Sequence, residues 1–146
     1  MRFLPYLLGI TAGFGLTVQI GMNTAVRRTL QSAHSAALVS FLVGTAGLLV
    51  IVFATRTSLP SRETFAAVPM WAWFGGLFGA FYVAISTIVA TQLGATSLLV
   101  LTLLGQLGLA LLVDHFGWLG LPEHPITLAR LAGVGLLAVG VWLITR

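Results

Sequence analysis

The chain has 146 residues, of which 58% are hydrophobic and 7% charged, with seven cationic side chains, three acids and no cysteine. A soluble domain carries about 25% charged residues, so a soluble enzyme, a nucleic-acid binder and a disordered tail are excluded. The mean hydropathy of +1.06 leaves an integral membrane protein, because that much apolar area would aggregate in water.

All seven cations are arginines, and they are scattered. Scattered arginines on a membrane protein sit at headgroup level and set orientation. A nucleic-acid partner would need a clustered basic face, which the chain lacks. The want of cysteine removes disulfides, thiolate zinc sites and cysteine nucleophiles.

Prolines 5, 60, 69, 122 and 125 fall at the ends of apolar runs or between them, and five helical spans follow. Continuous apolar runs argue against a membrane barrel, whose strands alternate over about ten residues. The first span is read over 4–25. Its apolar stretch is longer than the 7–15 or so residues of a signal-peptide core, and Asn23-Thr24-Ala25 is a poor cleavage site, so a retained helix is expected. Within it Gly15, Gln19 and Asn23 fall at i, i+4 and i+8, on one face. Two amides beneath a glycine offer donors and acceptors to a ligand without charge. The same amides serve equally well as interhelical glue, and the sequence leaves both roles open.

The second span, 34–54, places Ser40, Gly44 and Gly47 on a packing seam. The third, 70–92, carries Gly75, Gly79, Tyr82 and Ser86 on one stripe. Its glycines favour close backbone approach, while Tyr82 and Ser86 are candidates to face a cavity. Trp71 and Trp73 fit an aromatic belt. The fourth span, 95–116, holds Thr102 and Gln106 one turn apart, with Asp114-His115 near its end. An amide facing lipid would be costly, so Gln106 is expected to point inward. Asp114 and His115 read first as an interfacial cap and second as a proton relay. The fifth span, 127–144, has Gly133 and Gly140 two turns apart, which suits a close helix crossing at a dimer seam.

Five spans put the termini on opposite sides. Arg2, Arg56, Arg62 and Arg130 then face one side and Arg27, Arg28 and Arg146 the other. A four-to-three split supplies almost none of the cation excess that orients a membrane protein. Either the first helix sets a weak orientation, or copies insert both ways and pair antiparallel, the reading favoured here. Secondary transporters are commonly built from inverted repeats, and an antiparallel second copy would supply the half this chain lacks.

No Asp, Glu, Lys or Arg lies in the middle of any span. That pattern suits uncharged or zwitterionic ligands better than cations exchanged against protons. His34, His115 and His124 lie at span ends without metal-ligand spacing, and no nucleophile–base set can be assembled. Neither a metal, a cofactor nor an enzymatic activity is expected.

Several short patterns together resemble the YdcZ-type branch of the drug/metabolite transporter superfamily. They are Gln19-x3-Asn23, Phe41-x2-Gly44-Thr45, Trp71-x3-Gly75-Gly76-x2-Gly79-Ala80, Gly105-Gln106-Leu107, Asp114-His115-Phe116-Gly117 and Arg130-Leu-x-Gly133-x6-Gly140. The likeness covers nearly the whole chain. It implies a five-helix protein of the bacterial inner membrane that pairs into a ten-helix assembly. Gly133-x6-Gly140-Val141 is also similar to the dimerisation helix of small multidrug-resistance transporters. Those carry a glutamate in the first helix, where this chain has Gln19 and Asn23.

The expected fold is therefore all-α: one transmembrane domain over 1–146, five helices per chain, pairing as an antiparallel, dual-topology homodimer. The expected function is secondary transport of an unidentified small molecule by alternating access. Substrate would sit between the copies, contacted by Gln19, Asn23, Tyr82, Ser86 and Gln106 of each. The expected partners are an inverted second copy and membrane lipid. A small dual-topology channel is the alternative from another class, since Gly75-Gly76-x2-Gly79-Ala80 is faintly similar to a glycine motif of fluoride channels. A non-transporting subunit of another membrane protein is the third.

Overall fold

The computed structural model describes residues 3–146; Arg2, counted above for orientation, lies outside the described residues. Helix α1 spans Leu4–Leu30, with a proline in its first turn, where the missing N–H costs nothing. It runs five residues past the expected end, because nothing over 26–30 breaks a helix. Arg27 and Arg28 thereby fall in its last turn, where the helix dipole favours cations. Gln31 then turns left-handed (φ 52°) and Ser32 caps α2, Ala33–Ala54, by accepting from the Ser35 N–H at 3.2 Å. The loop expected over 27–33 is thus two residues long, and α1 and α2 pack on each other as a helical hairpin.

Between the second and third expected spans, where no element is expected, the chain forms a short helix, α3, Arg62–Ala66. Ser61 starts it by accepting from the Thr64 N–H at 3.2 Å. The Phe65 ring lies 4.7 Å from that of Trp73. A 3-10 turn at Met70–Phe74 leads into α4, Gly75–Phe116, whose helical dihedrals fail at Gly94 (φ 81°, ψ 164°). That conformation is open essentially to glycine alone. A second 3-10 turn, Trp118–Gly120, precedes α5, Leu128–Thr145, which Thr127 caps by accepting from the Arg130 N–H at 3.3 Å.

Four helical stretches are long and apolar enough to cross a membrane: Leu4–Leu30, Ala33–Ala54, Met70–Phe116 and Leu128–Thr145. Only 6–11% of the most apolar part of each is buried within the chain, so their hydrophobic surfaces face outward. That pattern belongs in hydrocarbon, where the backbone bonds must be satisfied inside each helix.

The chain divides into two compact units, Met1–Ile88 and Val89–Arg146. In the first, the buried residues are small or shape-matched: Ile20 and Asn23 on α1, Ala33, Ala36 and Ala37 at the start of α2, and Val83, Ser86 and Thr87 on α4. Alanines at the closed end of the hairpin let the two backbones approach. The Phe41 ring reaches from α2 to α4, where its Cζ would stand 3.0 Å from a Cβ placed on Gly79. In the second unit Leu98, Val113 and Val141 are the buried apolar side chains.

Candidate functional site

The one face of α1 that carries amides looks onto α2. Gly15, Gln19 and Asn23 line a groove of about 540 Å³ together with Ser40 and Gly44 of α2. A second groove of about 200 Å³, along Phe41, Thr45 and Leu48, shares Gln19, Ser40 and Gly44 with it. Two periodicities make this arrangement: i, i+4, i+8 on α1 and i, i+4 on α2 each hold their small and polar residues on one face. Gly15 and Gly44 supply no side chain, and their absent Cβ atoms leave the space between the helices open. Gln19 is exposed and serves both grooves, whereas Asn23 is buried. The groove therefore offers amide donors and acceptors against largely apolar walls, with no charged group on its lining.

Beside Asn23, the Thr24 hydroxyl is buried with no hydrogen-bond partner, alone in this among the described residues. Sequence reasoning missed it, treating Thr24 only as part of a poor cleavage site. Its position next to the second amide was the available signal.

Tyr82 and Ser86 lie in the same unit but do not line the amide grooves. Tyr82 is half-buried. Ser86 is buried, and its hydroxyl donates to the Val83 carbonyl at 2.9 Å, as Thr87 does to Ala84. A hydroxyl satisfied by its own helix is a weak candidate for holding a ligand. The groove that this part of α4 does form with α2, about 580 Å³, is walled by apolar side chains such as Leu38, Ala80, Phe81 and Ile85, with His34 on its lining.

Gln106 belongs to the second unit, where it is exposed; the expected inward orientation is not what the chain by itself provides. Asp114 and His115 are both engaged with the loop that follows them. Asp114 Oδ2 accepts from Arg130 Nη1 at 3.3 Å, and the same nitrogen donates to the His124 carbonyl at 3.1 Å. The His124 N–H in turn donates to the Asp114 carbonyl at 2.7 Å, and His115 Nδ1 accepts from the Ile126 N–H at 3.3 Å. These bonds strap residues 117–127 to the helix ends. Arg130 is the residue the sequence reading undervalued, having used it for orientation and as part of a family pattern but not as a partner of Asp114. A carboxylate at the exit of one span and a cation in the first turn of the next was the legible clue.

The glycines divide in the same way. Gly79 makes a close approach, to Phe41; Gly75, Gly133 and Gly140 have nothing within 4 Å of an added Cβ. Among the described residues, no three His, Asp or Glu side chains stand close enough to hold a metal ion.

Long apolar helices and outward-facing hydrophobic surface define a helical integral membrane protein, with an uncharged polar groove between its first two helices. A family model described as "Putative inner membrane exporter, YdcZ" matches residues 4–143. The chain belongs to that family, and it is a multi-pass protein of the bacterial inner membrane. Inner membrane protein YdcZ of Escherichia coli (strain K12) is 29% identical to it over 137 residues, covering 94% of this chain and 91% of that protein. No solved structure matches the chain.

Proposed function

We propose that the protein is a small-molecule secondary transporter of the drug/metabolite transporter type, moving an uncharged or zwitterionic substrate by alternating access in an antiparallel homodimer. The observation that carries this reading is the groove between α1 and α2, where Gln19 and Asn23 stand over apolar walls with no charge on the lining. An export family supports the transport class.

Span number follows from length. The 42 residues of α4 would reach about 63 Å as one helix, twice the roughly 30 Å of a hydrocarbon core. Broken at Gly94, α4 reads as two spans, 75–93 and 95–116, and the chain as five. Five spans leave the arginines almost evenly divided across the membrane, which favours insertion in both orientations. An inverted second copy then completes the two-fold architecture common among secondary transporters, with α5 crossing its counterpart at Gly140.

Substrate in this scheme meets Gln19 and Asn23 directly. Tyr82 and Gln106 are the further polar contacts from each copy. Ser86 is set aside as a contact, its hydroxyl being held by Val83. Asp114 and His115 hold the loop in the resting form, and a relay role would require those bonds to open. Reconstituted vesicles test the proposal by counterflow of a small-molecule library. Saturable flux accelerated by substrate on the far side is expected. Ion current that does not saturate would mean a channel, and inert vesicles a partner subunit.

A further inference from the structure

A second groove of different chemistry lies in the second unit. It measures about 420 Å³ and runs between the end of α4 and the start of α5. Leu107, Ala110 and Leu111 form one wall, Gly133 and Val134 the other, and Asp114 and Arg130 complete the lining. Leu107 stands two helical turns before Asp114, so the apolar trough extends about 10 Å from the charged end. Gly133 keeps it open, since a Cβ there would meet nothing within 4 Å.

The charged end is not sealed. Asp114 and Arg130 stay about one-third exposed, at 31% and 38%. Their contact is single-pronged, Nη1 to Oδ2, and the guanidinium spends the same nitrogen on the His124 carbonyl. A guanidinium carries five donors and a carboxylate four acceptor sites, so both groups keep capacity for a ligand. The pair also sits two residues before the end of α4 and in the first turn of α5. In spanning helices that is headgroup depth.

An apolar trough ending in one positive and one negative group at that depth matches an amphiphile whose head carries both charges. We propose that this groove is a binding site for a zwitterionic aminophospholipid. The phosphate would sit on Arg130, the primary ammonium on Asp114, and an acyl chain along Leu107, Leu111 and Val134. An anionic headgroup would satisfy Arg130 but confront the Asp114 carboxylate. A trimethylated headgroup has no N–H to donate to that carboxylate. Both are therefore disfavoured by the same pair that holds the primary amine.

The test is native mass spectrometry of the full chain released from vesicles of phosphatidylethanolamine, phosphatidylglycerol and phosphatidylcholine in equal parts. Wild-type protein is expected to retain phosphatidylethanolamine about fivefold over either of the others, the scale of one partly exposed charge-assisted hydrogen bond. Arg130→Gln and Asp114→Asn should each level that preference. Because both also loosen the adjoining loop, Gly133→Leu provides the independent arm: it leaves the pair intact, fills the trough and should cut retained lipid to background. Equal retention of the three lipids by wild type, or preference for phosphatidylglycerol, overturns the proposal. So does unchanged retention in Gly133→Leu. Loss of dimer with lipid retained in that variant would assign the trough to a second copy and overturn it as well. None of these readouts depends on transport.

Discussion

In the α1–α2 hairpin the polar side chains are uncharged, and the groove beside them is left open: Gln19 is exposed, Asn23 is buried, and glycines keep the space clear. At the junction of α4 and α5 the polar side chains include a carboxylate and a guanidinium, and they are engaged with the loop between the helices. Asp114, His115 and Arg130 all hold backbone or one another across residues 117–127. The contrast follows from depth. An amide well inside a span can find a partner, and such an interhelical bond stabilises by about 1–2 kcal/mol, whereas a charge belongs at the rim, where water screens it. The uncharged groove reads as the place for substrate; the charged junction reads as the place where the chain fastens its own loop while keeping one-third of the pair exposed at the rim.

If that division is right, mutations should separate cleanly. The largest effect is expected from Gln19→Ala, which should abolish substrate counterflow while changing stability by no more than about 0.5 kcal/mol, as for an exposed side chain. Flux and thermal melting measured on the same preparation check this. If the variant loses dimers along with flux, the amide is glue and the groove is not the site. Next comes Gly79→Leu, which drives a side chain into the Phe41 ring and should cost about 1–3 kcal/mol through overpacking, read as a lowered melting temperature in detergent. Gly140→Leu, with nothing within 4 Å inside the chain, should leave that melting unchanged and act on dimer formation, read by crosslinking.

The smallest effect is expected at the strap. Arg130→Gln removes a partly exposed ion pair worth at most about 1 kcal/mol after solvent screening. Its signature should be local: faster amide hydrogen exchange at His124 and Ile126, with the α1–α2 hairpin unaffected. Faster exchange throughout the chain would break the comparison, because the strap would then be holding more than its own loop.

Much of the fold was legible because the sequence marks it strongly. Continuous apolar runs named the helices, and Gly94 falls between two runs that are each of spanning length. Ends were less legible: α1 runs on through Arg27 and Arg28 because arginine is a good helix former, so a charged residue did not mean a loop. Helix α3 was hidden in a short polar stretch whose only signal is Ser61. For the site, periodicity put Gln19 and Asn23 on one face, and the groove lies along that face. It could not tell that Ser86 turns back on its own helix, because a hydroxyl bonded to the i−3 carbonyl and one facing a ligand share the same spacing. The role of Arg130 depends on a fold-back across sixteen residues, signalled only by a carboxylate at the end of one span and a cation at the start of the next.

Gly94 carries one more consequence. A side chain added there would touch nothing within 4 Å, so any survey that ranks positions by lost contacts would score it as inert. Its backbone says otherwise, because φ 81° with ψ 164° is the mirror image of an ordinary extended conformation. The position selects for handedness rather than size. L-alanine, the smallest possible addition, would be as unwelcome as leucine, while D-alanine, identical in bulk, would sit there without strain.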